Sequence, residues 1–284
     1  MPPKNEVDLD PQEQALLREW RQLVTEHYVE DIKHLEGNPD IIHGFEVEHA
    51  IIAKYDTLRT EFHLRPTIVL QLGTRVMREQ FDEHMVRMRP VIRVVGLDEM
   101  YRRRIDSLRM RDRNKVVSLT VKINHVFPPY GWVQLAVYEC RDCGDSAEIK
   151  QRRARERESP VRCETCMAKF FERLENGDDN LPIRPPRPNF VMSTEHSNYE
   201  DVQDLSICQV ALNEDNHVLH TSVKDDLIAT VSDDLVGEVE VGTFARINGI
   251  VRVQPFPNRT FSKDTRRVLA LDVLSIEPID VEEM

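Results

Sequence analysis

Apolar residues recur every three to four positions from Asp10 to about Leu35: Leu16, Trp20, Leu23, Val24, Tyr28, Ile32 and Leu35. That period lines one face of a helix. Asp10 stands where an N-cap belongs, Pro11 suits the first turn, Glu13 completes a capping box and Gly37 offers a stop. Two further helical stretches follow, from about Glu46 to Glu61 and from about Pro66 to Met88, the second carrying Ile68, Val69, Leu72, Val76, Met77 and Phe81. Such stripes are accounted for by helix–helix packing and hold no chemistry.

The pattern changes near Pro90. Val91–Val95 is a short apolar run and Glu99–Leu108 reads as helix. Val116–Val126 alternates, with Val117, Leu119, Val121 and Ile123 on one face, as in a half-buried strand. Trp132–Tyr138 is a second strand that runs into Cys140. Asn180–Asn189 holds four prolines and reads as a linker or extended edge. Strands resume at Leu205–Ala211, His217–Val223, Phe244–Val253 and Val268–Ile276. Helices followed by a run of strands predict an α+β chain, with a helical bundle first and a small barrel after it.

The chemistry is concentrated in Cys140, Cys143, Cys163 and Cys166, spaced C-x2-C-x19-C-x2-C. Each pair brings two thiolates together from a tight turn, and two pairs complete a closed tetrahedral shell for Zn²⁺. Four thiolates leave no position for water, so such a zinc is structural. A redox dithiol or a chance spacing is the plainer alternative. The fifth cysteine, Cys208, lies in an apolar stretch and reads as a core residue. Five cysteines in this arrangement fit a reducing compartment better than a disulfide framework.

With 284 residues and 40% apolar composition the chain can bury a core. No apolar run approaches a membrane span and no signal-peptide core is present, so a soluble intracellular (cytoplasmic) protein is expected. The net charge of −12 argues against a nucleic-acid surface spread over the whole chain. The charge is uneven, however. Asp178 to Glu240 holds fourteen carboxylates against three Lys or Arg, whereas Arg252 to Arg267 holds five cations and one acid. In that second segment, two apolar strands flank a turn bearing Arg259, Lys263, Arg266 and Arg267, with Arg252 at its start. A projecting basic β-hairpin of this kind suits phosphate contact with little sequence readout, and Phe256 or Phe261 is placed to stack on a base or to brace the loop. An exposed basic turn with no partner is the alternative. The run Lys150 to Arg157 between the cysteine pairs reads as a solvated face or a subunit contact as readily as a DNA surface.

The order of these features resembles the N-terminal region of the archaeal-type minichromosome maintenance (MCM) replicative helicases over most of the chain. The resemblance is carried by Arg104-Ile105-Asp106-Ser107-Leu108-Arg109 with Lys115-Val116-Val117, by Tyr138-Glu139-Cys140-x-x-Cys143, and by Asp201-Val202-Gln203-Asp204-Leu205 with Gln209-Val210. Asp225-Asp226-Leu227-Ile228 and Val241-Gly242-Thr243-Phe244-Ala245-Arg246-Ile247-Asn248-Gly249-Ile250 complete it. It implies a helical subdomain (1–90), an oligonucleotide/oligosaccharide-binding (OB) barrel in two parts (91–138 and 181–284) and a zinc-binding insertion (139–180). It further implies a homo-oligomer, a hexamer or double hexamer, that encircles single- or double-stranded DNA. The hairpin would face the channel, the zinc subdomains would pair two rings, and the loop Leu212–His220 would signal to an ATPase tier.

The sequence departs from the family in two places. Tyr130-Gly131-Trp132-Val133-Gln134-Leu135 stands where basic residues are common, and a shortened signalling loop carries Asn216-His217. No G-x-x-x-x-G-K-[ST] phosphate loop occurs, so ATP hydrolysis is not expected of this chain alone. It reads as an excised piece of a helicase or a motorless relative. A free-standing zinc-ribbon OB-fold single-strand-binding protein is the main rival, and an assembly adaptor that binds no DNA is the third reading.

Overall fold

The computed structural model describes residues 9–34, 42–80, 89–151, 157–177, 184–213, 216–256 and 265–281. The chain divides into two compact units, residues 131–201 and the remainder.

The larger unit begins with helices α1 (Pro11–His27) and α2 (Val29–His34). Asp10 and Glu13 form the expected capping box, with the Glu13 backbone N–H donating to Asp10 Oδ1 at 2.7 Å. Strand β1 (Ile42–Glu48) follows, then α3 (His49–Ile52), α4 (Asp56–Leu64), α5 (Pro66–Glu79) and β2 (Arg89–Val95). Glu46–Glu48 is therefore strand, not helix: β1 and β2 pair in parallel, Phe45 opposite Ile92 and Val47 opposite Val94, and this buries their apolar faces. The predicted helix from Pro66 ends its described course at Glu79, and 81–88 lies outside the described residues, as does Gly37. Trp20 is fully buried and donates from Nε1 to the Val69 carbonyl at 2.9 Å. Gly73 is what lets α5 approach so closely, because a Cβ there would lie 2.7 Å from the Trp20 ring.

Glu99–Leu108 is not a helix. It contains single 3-10 turns at Glu99–Tyr101 and Ile105–Ser107, with a third at Met110–Asp112. Its backbone is drawn to the neighbouring strands: the Arg103 N–H donates to the Ser118 carbonyl and the Ile105 N–H to Gln209 Oε1.

The barrel consists of β3 (Val116–Val126), the second half of β6 (Phe190–Leu212), β7 (Val218–Ser232), β8 (Phe244–Pro255) and β9 (Arg267–Pro278). β3 pairs with both β6 and β8, β8 with β9, β9 with β7 and β7 with β6, which closes the ring. Counted within the barrel, the order is 1-2-3-5-4-1 with a parallel junction between third and fifth strands, a five-stranded OB-type barrel. Leu119, Val121, Ile123, Leu205, Ile207, Ala229, Val231, Ala245, Ile247, Val251 and Leu271 fill it with no solvent exposure. Cys208 is buried in the larger unit, its Sγ 3.3 Å from Asn124 Oδ1, as expected of a core residue.

The smaller unit contains β4 (Tyr130–Cys140), β5 (Ser146–Lys150), α6 (Glu164–Glu175) and the first half of β6. β4 and β5 pair antiparallel, from Leu135 opposite Lys150 to Glu139 opposite Ser146. No described helix is long and apolar enough to cross a membrane.

Candidate metal centre and nucleic-acid interface

The first cysteine pair sits on the tight turn between β4 and β5. Cys140 closes β4, the Gly144 N–H donates to the Cys140 carbonyl at 2.8 Å, and the Cys140 N–H donates to the Asp145 carbonyl at 2.8 Å. Gly144 has φ of 76°, which glycine adopts without a Cβ penalty. The second pair begins α6: Cys163 is its N-cap residue and Cys166 lies in its first turn. Thr165 Oγ1 donates to Asp145 Oδ2 at 2.6 Å and so ties the two knuckles together.

All four sulfurs lie within 4.8 Å of one another. Cys140 Sγ is 3.7 Å from Cys166 Sγ, and Cys143 Sγ is 3.5 Å from Cys163 Sγ. A disulfide needs about 2.05 Å, whereas a tetrahedron with metal–sulfur bonds of about 2.3 Å sets its sulfurs about 3.8 Å apart. The separations fit a shared ion, and the cluster is consistent with a metal site. The backbone N–H of Asp142 holds the Cys140 thiol below its ordinary range. Cys166 is raised because its proton is shared first with Cys143.

The basic hairpin is built on β8 and β9, which stay paired out to Gln254–Val268 and Pro255–Arg267. Beyond them the Phe256 N–H donates to the Arg266 carbonyl at 3.1 Å, and the Arg266 guanidinium lies 4.3 Å from the Phe256 ring centroid. Phe256 thus braces the hairpin in this structure. Arg259, Phe261 and Lys263 lie outside the described residues. Arg252 sits differently from the others. It donates from Nε to Asp272 Oδ2 (2.8 Å), from Nη1 to Asn114 Oδ1 (3.2 Å) and from Nη2 to Thr67 Oγ1 (3.1 Å). Those bonds fasten the base of the hairpin.

Elsewhere, Tyr130 is exposed and donates from its hydroxyl to Asp204 at 3.2 Å, and Trp132 is half-buried. The short connection from β6 to β7 is closed by the Asn213 N–H to the His217 carbonyl (3.0 Å) and by the His217 N–H to Asn213 Oδ1 (2.7 Å). Residues 214–215 and 152–156 are outside the described residues. The sequence reading did not anticipate Thr165 and Asp145 as supports of the cysteines, because nothing local marks a bond across twenty positions.

No protein-family model and no curated protein matches this sequence. Among solved structures, the crystal structure of the N-terminal domain of an archaeal MCM superposes with a TM-score of 0.69. The match covers 94% of this chain and 100% of that one at 17% identity. This chain has the MCM N-terminal fold. Helices first, then the strands and the four-cysteine cluster, follow the order expected of that fold. At 17% identity the likeness is one of fold.

Proposed function

We propose that the chain is the DNA-encircling, ring-forming N-terminal region of an MCM-type replicative helicase, acting inside the cell and associated with the nucleoid in a prokaryote. The observation that supports this reading best is the coincidence of the MCM N-terminal fold with a cationic hairpin in a chain of net charge −12. Arg259, Lys263, Arg266 and Arg267 contact phosphates, and Arg252 holds the hairpin base. Arginine suits this task because its planar fork bonds phosphate oxygens in pairs and keeps its charge at any working pH. Contacts of this sort fix register on DNA and carry no base readout. Zinc is the metal that an all-thiolate shell of this spacing selects; when bound it supplies a rigid cross-link and no open position for water. Cys140, Cys143, Cys163 and Cys166 hold it, and the small unit it stabilises serves contact between rings.

The reading is tested by Arg266→Glu/Arg267→Glu in a DNA-binding titration at low salt, with oligomer mass followed by light scattering. Affinity should fall at least tenfold while the melting temperature holds. Unchanged affinity would contradict the hairpin assignment. A stable monomer at high concentration with tight single-strand preference would favour the free-standing OB protein instead.

A further inference from the structure

Residues 102–115 hold seven cations, Arg102, Arg103, Arg104, Arg109, Arg111, Arg113 and Lys115, against two acids, Asp106 and Asp112. All seven are exposed. Three of them face carboxylates: Arg102 with Glu99 (2.7 Å), Arg104 with Asp106 (2.7 Å) and Lys115 with Asp112 (3.3 Å). Arg103 and Arg109 donate instead to main-chain carbonyls, of Met100 and Arg102 and of Asp106 and Leu108 respectively. Those bonds orient the guanidinium groups without neutralising them. The side chains of Arg111 and Arg113 make no hydrogen bond or ion pair among the described residues; the Arg113 backbone N–H donates to the Met110 carbonyl at 3.4 Å. Arg103, Arg109, Arg111 and Arg113 therefore have no carboxylate within ion-pair distance among the described residues, although the Arg111 charge lies near enough to Asp112 to help the Arg109 backbone N–H hold that carboxyl below its ordinary range.

A solvated charge run would be the plain explanation, but this backbone is not a free loop. The Arg103 N–H is bonded to Ser118 of β3, Ile105 to Gln209 of β6, and Leu108 is buried in the barrel core. The Asn114 N–H donates to the Val251 carbonyl at 2.7 Å, and the Val251 N–H donates to the Lys115 carbonyl at 3.0 Å. Asn114 turns the chain with φ of 64° and accepts from Arg252, the residue that fastens the hairpin base. Cations held on a fixed backbone lose little freedom when they meet an anion. Like charges so placed repel one another until they do.

We propose that the segment Arg102–Lys115 is a second phosphate-contact surface for nucleic acid, continuous with the base of the β8–β9 hairpin through Asn114 and Val251. It rests on the hairpin reading for its ligand class. The six arginines, with one lysine, favour the forked geometry of phosphate recognition. Arg111 and Arg113 carry the contact most directly. Each phosphate contact adds about 0.9 to the slope of log affinity against log salt on duplex DNA and about 0.7 on a single strand.

The test uses the full chain, duplex and single-stranded oligonucleotides of equal length, and titrations over a salt series. Arg111→Gln/Arg113→Gln should lower affinity at least fivefold and reduce the slope by between about 1.4 and 1.8, additively with the hairpin variant. Arg18→Gln/Arg59→Gln, an equal charge change on α1 and α4, should move neither quantity. Arg111→Lys/Arg113→Lys should keep the slope, and a lysine variant that loses it as fully as the glutamine variant overturns the proposal. So does an unchanged slope in the glutamine variant when the hairpin variant still weakens binding, which leaves the hairpin reading standing. Loss of oligomer mass with DNA affinity intact would make the segment a contact for an acidic protein surface and overturn it as well. No binding by the unaltered chain overturns both readings.

Discussion

His49 opens α3 with 2% of its side chain exposed, its ring 5.0 Å from that of Tyr101 and 5.7 Å from that of Phe62. Nδ1 lies 3.3 Å from Asp98 Oδ2. Burial pushes the imidazole below its ordinary pKa, and the Asp98 carboxylate opposes that in part. As pH falls through about 6.5 an unfolded His49 takes up a proton, while the folded one does so only at lower pH. The unfolded state then binds more protons, so this group's contribution is complete above that value and declines as pH falls below it. We expect His49→Leu to flatten the fall in melting temperature between pH 7.5 and 5.5. Parallel curves for the two proteins would show that His49 does not titrate in this window. At this scale the four cysteines were legible, because ligand spacing is a local property of the chain. Arg252 was not legible as a brace, because Thr67, Asn114 and Asp272 are 185, 138 and 20 residues away.

The same contrast between local and distant causes runs through the elements. α1 was readable because Asp10, Pro11 and Glu13 carry its cap within four positions. β3 spans Val116–Val126 as expected, although both of its faces are buried from Val116 to Leu119, whereas the smaller strand β1 did not stand out, since its partner β2 lies more than forty positions on and a short apolar stretch suits either period. β6 runs from Phe190, far ahead of the apolar residues that announced it, and neither β5 between the cysteine pairs nor α6, which starts at the second pair and runs past it, was predicted. None of the twelve residues of α6 is buried. Met167 and Phe170 are only half-buried, and Phe171 and Leu174 are exposed. A helix of that length is marginal in water without tertiary packing. Its start is placed by Cys163 at the N-cap, by Cys166 in the first turn and by the Thr165–Asp145 bond, so a metal held by the four cysteines would fix that end. Chelation with a strong zinc ligand, or Cys166→Ser, should therefore cost helical signal in far-ultraviolet circular dichroism equal to about one short helix. Cys208→Ser should leave the α6 signal in place. Full retention of helicity after complete metal removal would mean that α6 is held by something other than the cysteines.

For the larger unit, the buried cluster that packs the helices extends to Val116 of β3, Ile250 of β8 and Leu274 of β9, so helices and barrel share apolar contacts. A polar fastening crosses the same region. Arg93 on β2 is 5% exposed at its side chain and forms an ion pair with Asp234, and it donates from Nη2 to the Ser232 carbonyl at 2.7 Å. Gly44 on β1 is required beside it, since a Cβ there would overlap the Asp234 carboxylate. None of this was visible in the sequence: Arg93 lies in an apolar run and Asp234 in a turn, 141 positions apart. Taking two charges out of water is costly, and their attraction with the added carbonyl bond offsets that cost only while both are present. Removing one partner strands the other. Arg93→Met should accordingly destabilise the protein by roughly 3 kcal/mol, while Arg93→Met/Asp234→Leu should recover a large part of the loss. The measurement is chemical denaturation of the four proteins of the cycle in a Trp132→Phe background, where Trp20 fluorescence reports the helical core. Because that core is shared with the barrel, the Trp20 transition should move together with the far-ultraviolet signal of the strands. A Trp20 transition that shifts alone would mean that helices and barrel unfold independently, and a double variant whose loss equals the sum of the two single losses would mean that Arg93 and Asp234 are not coupled.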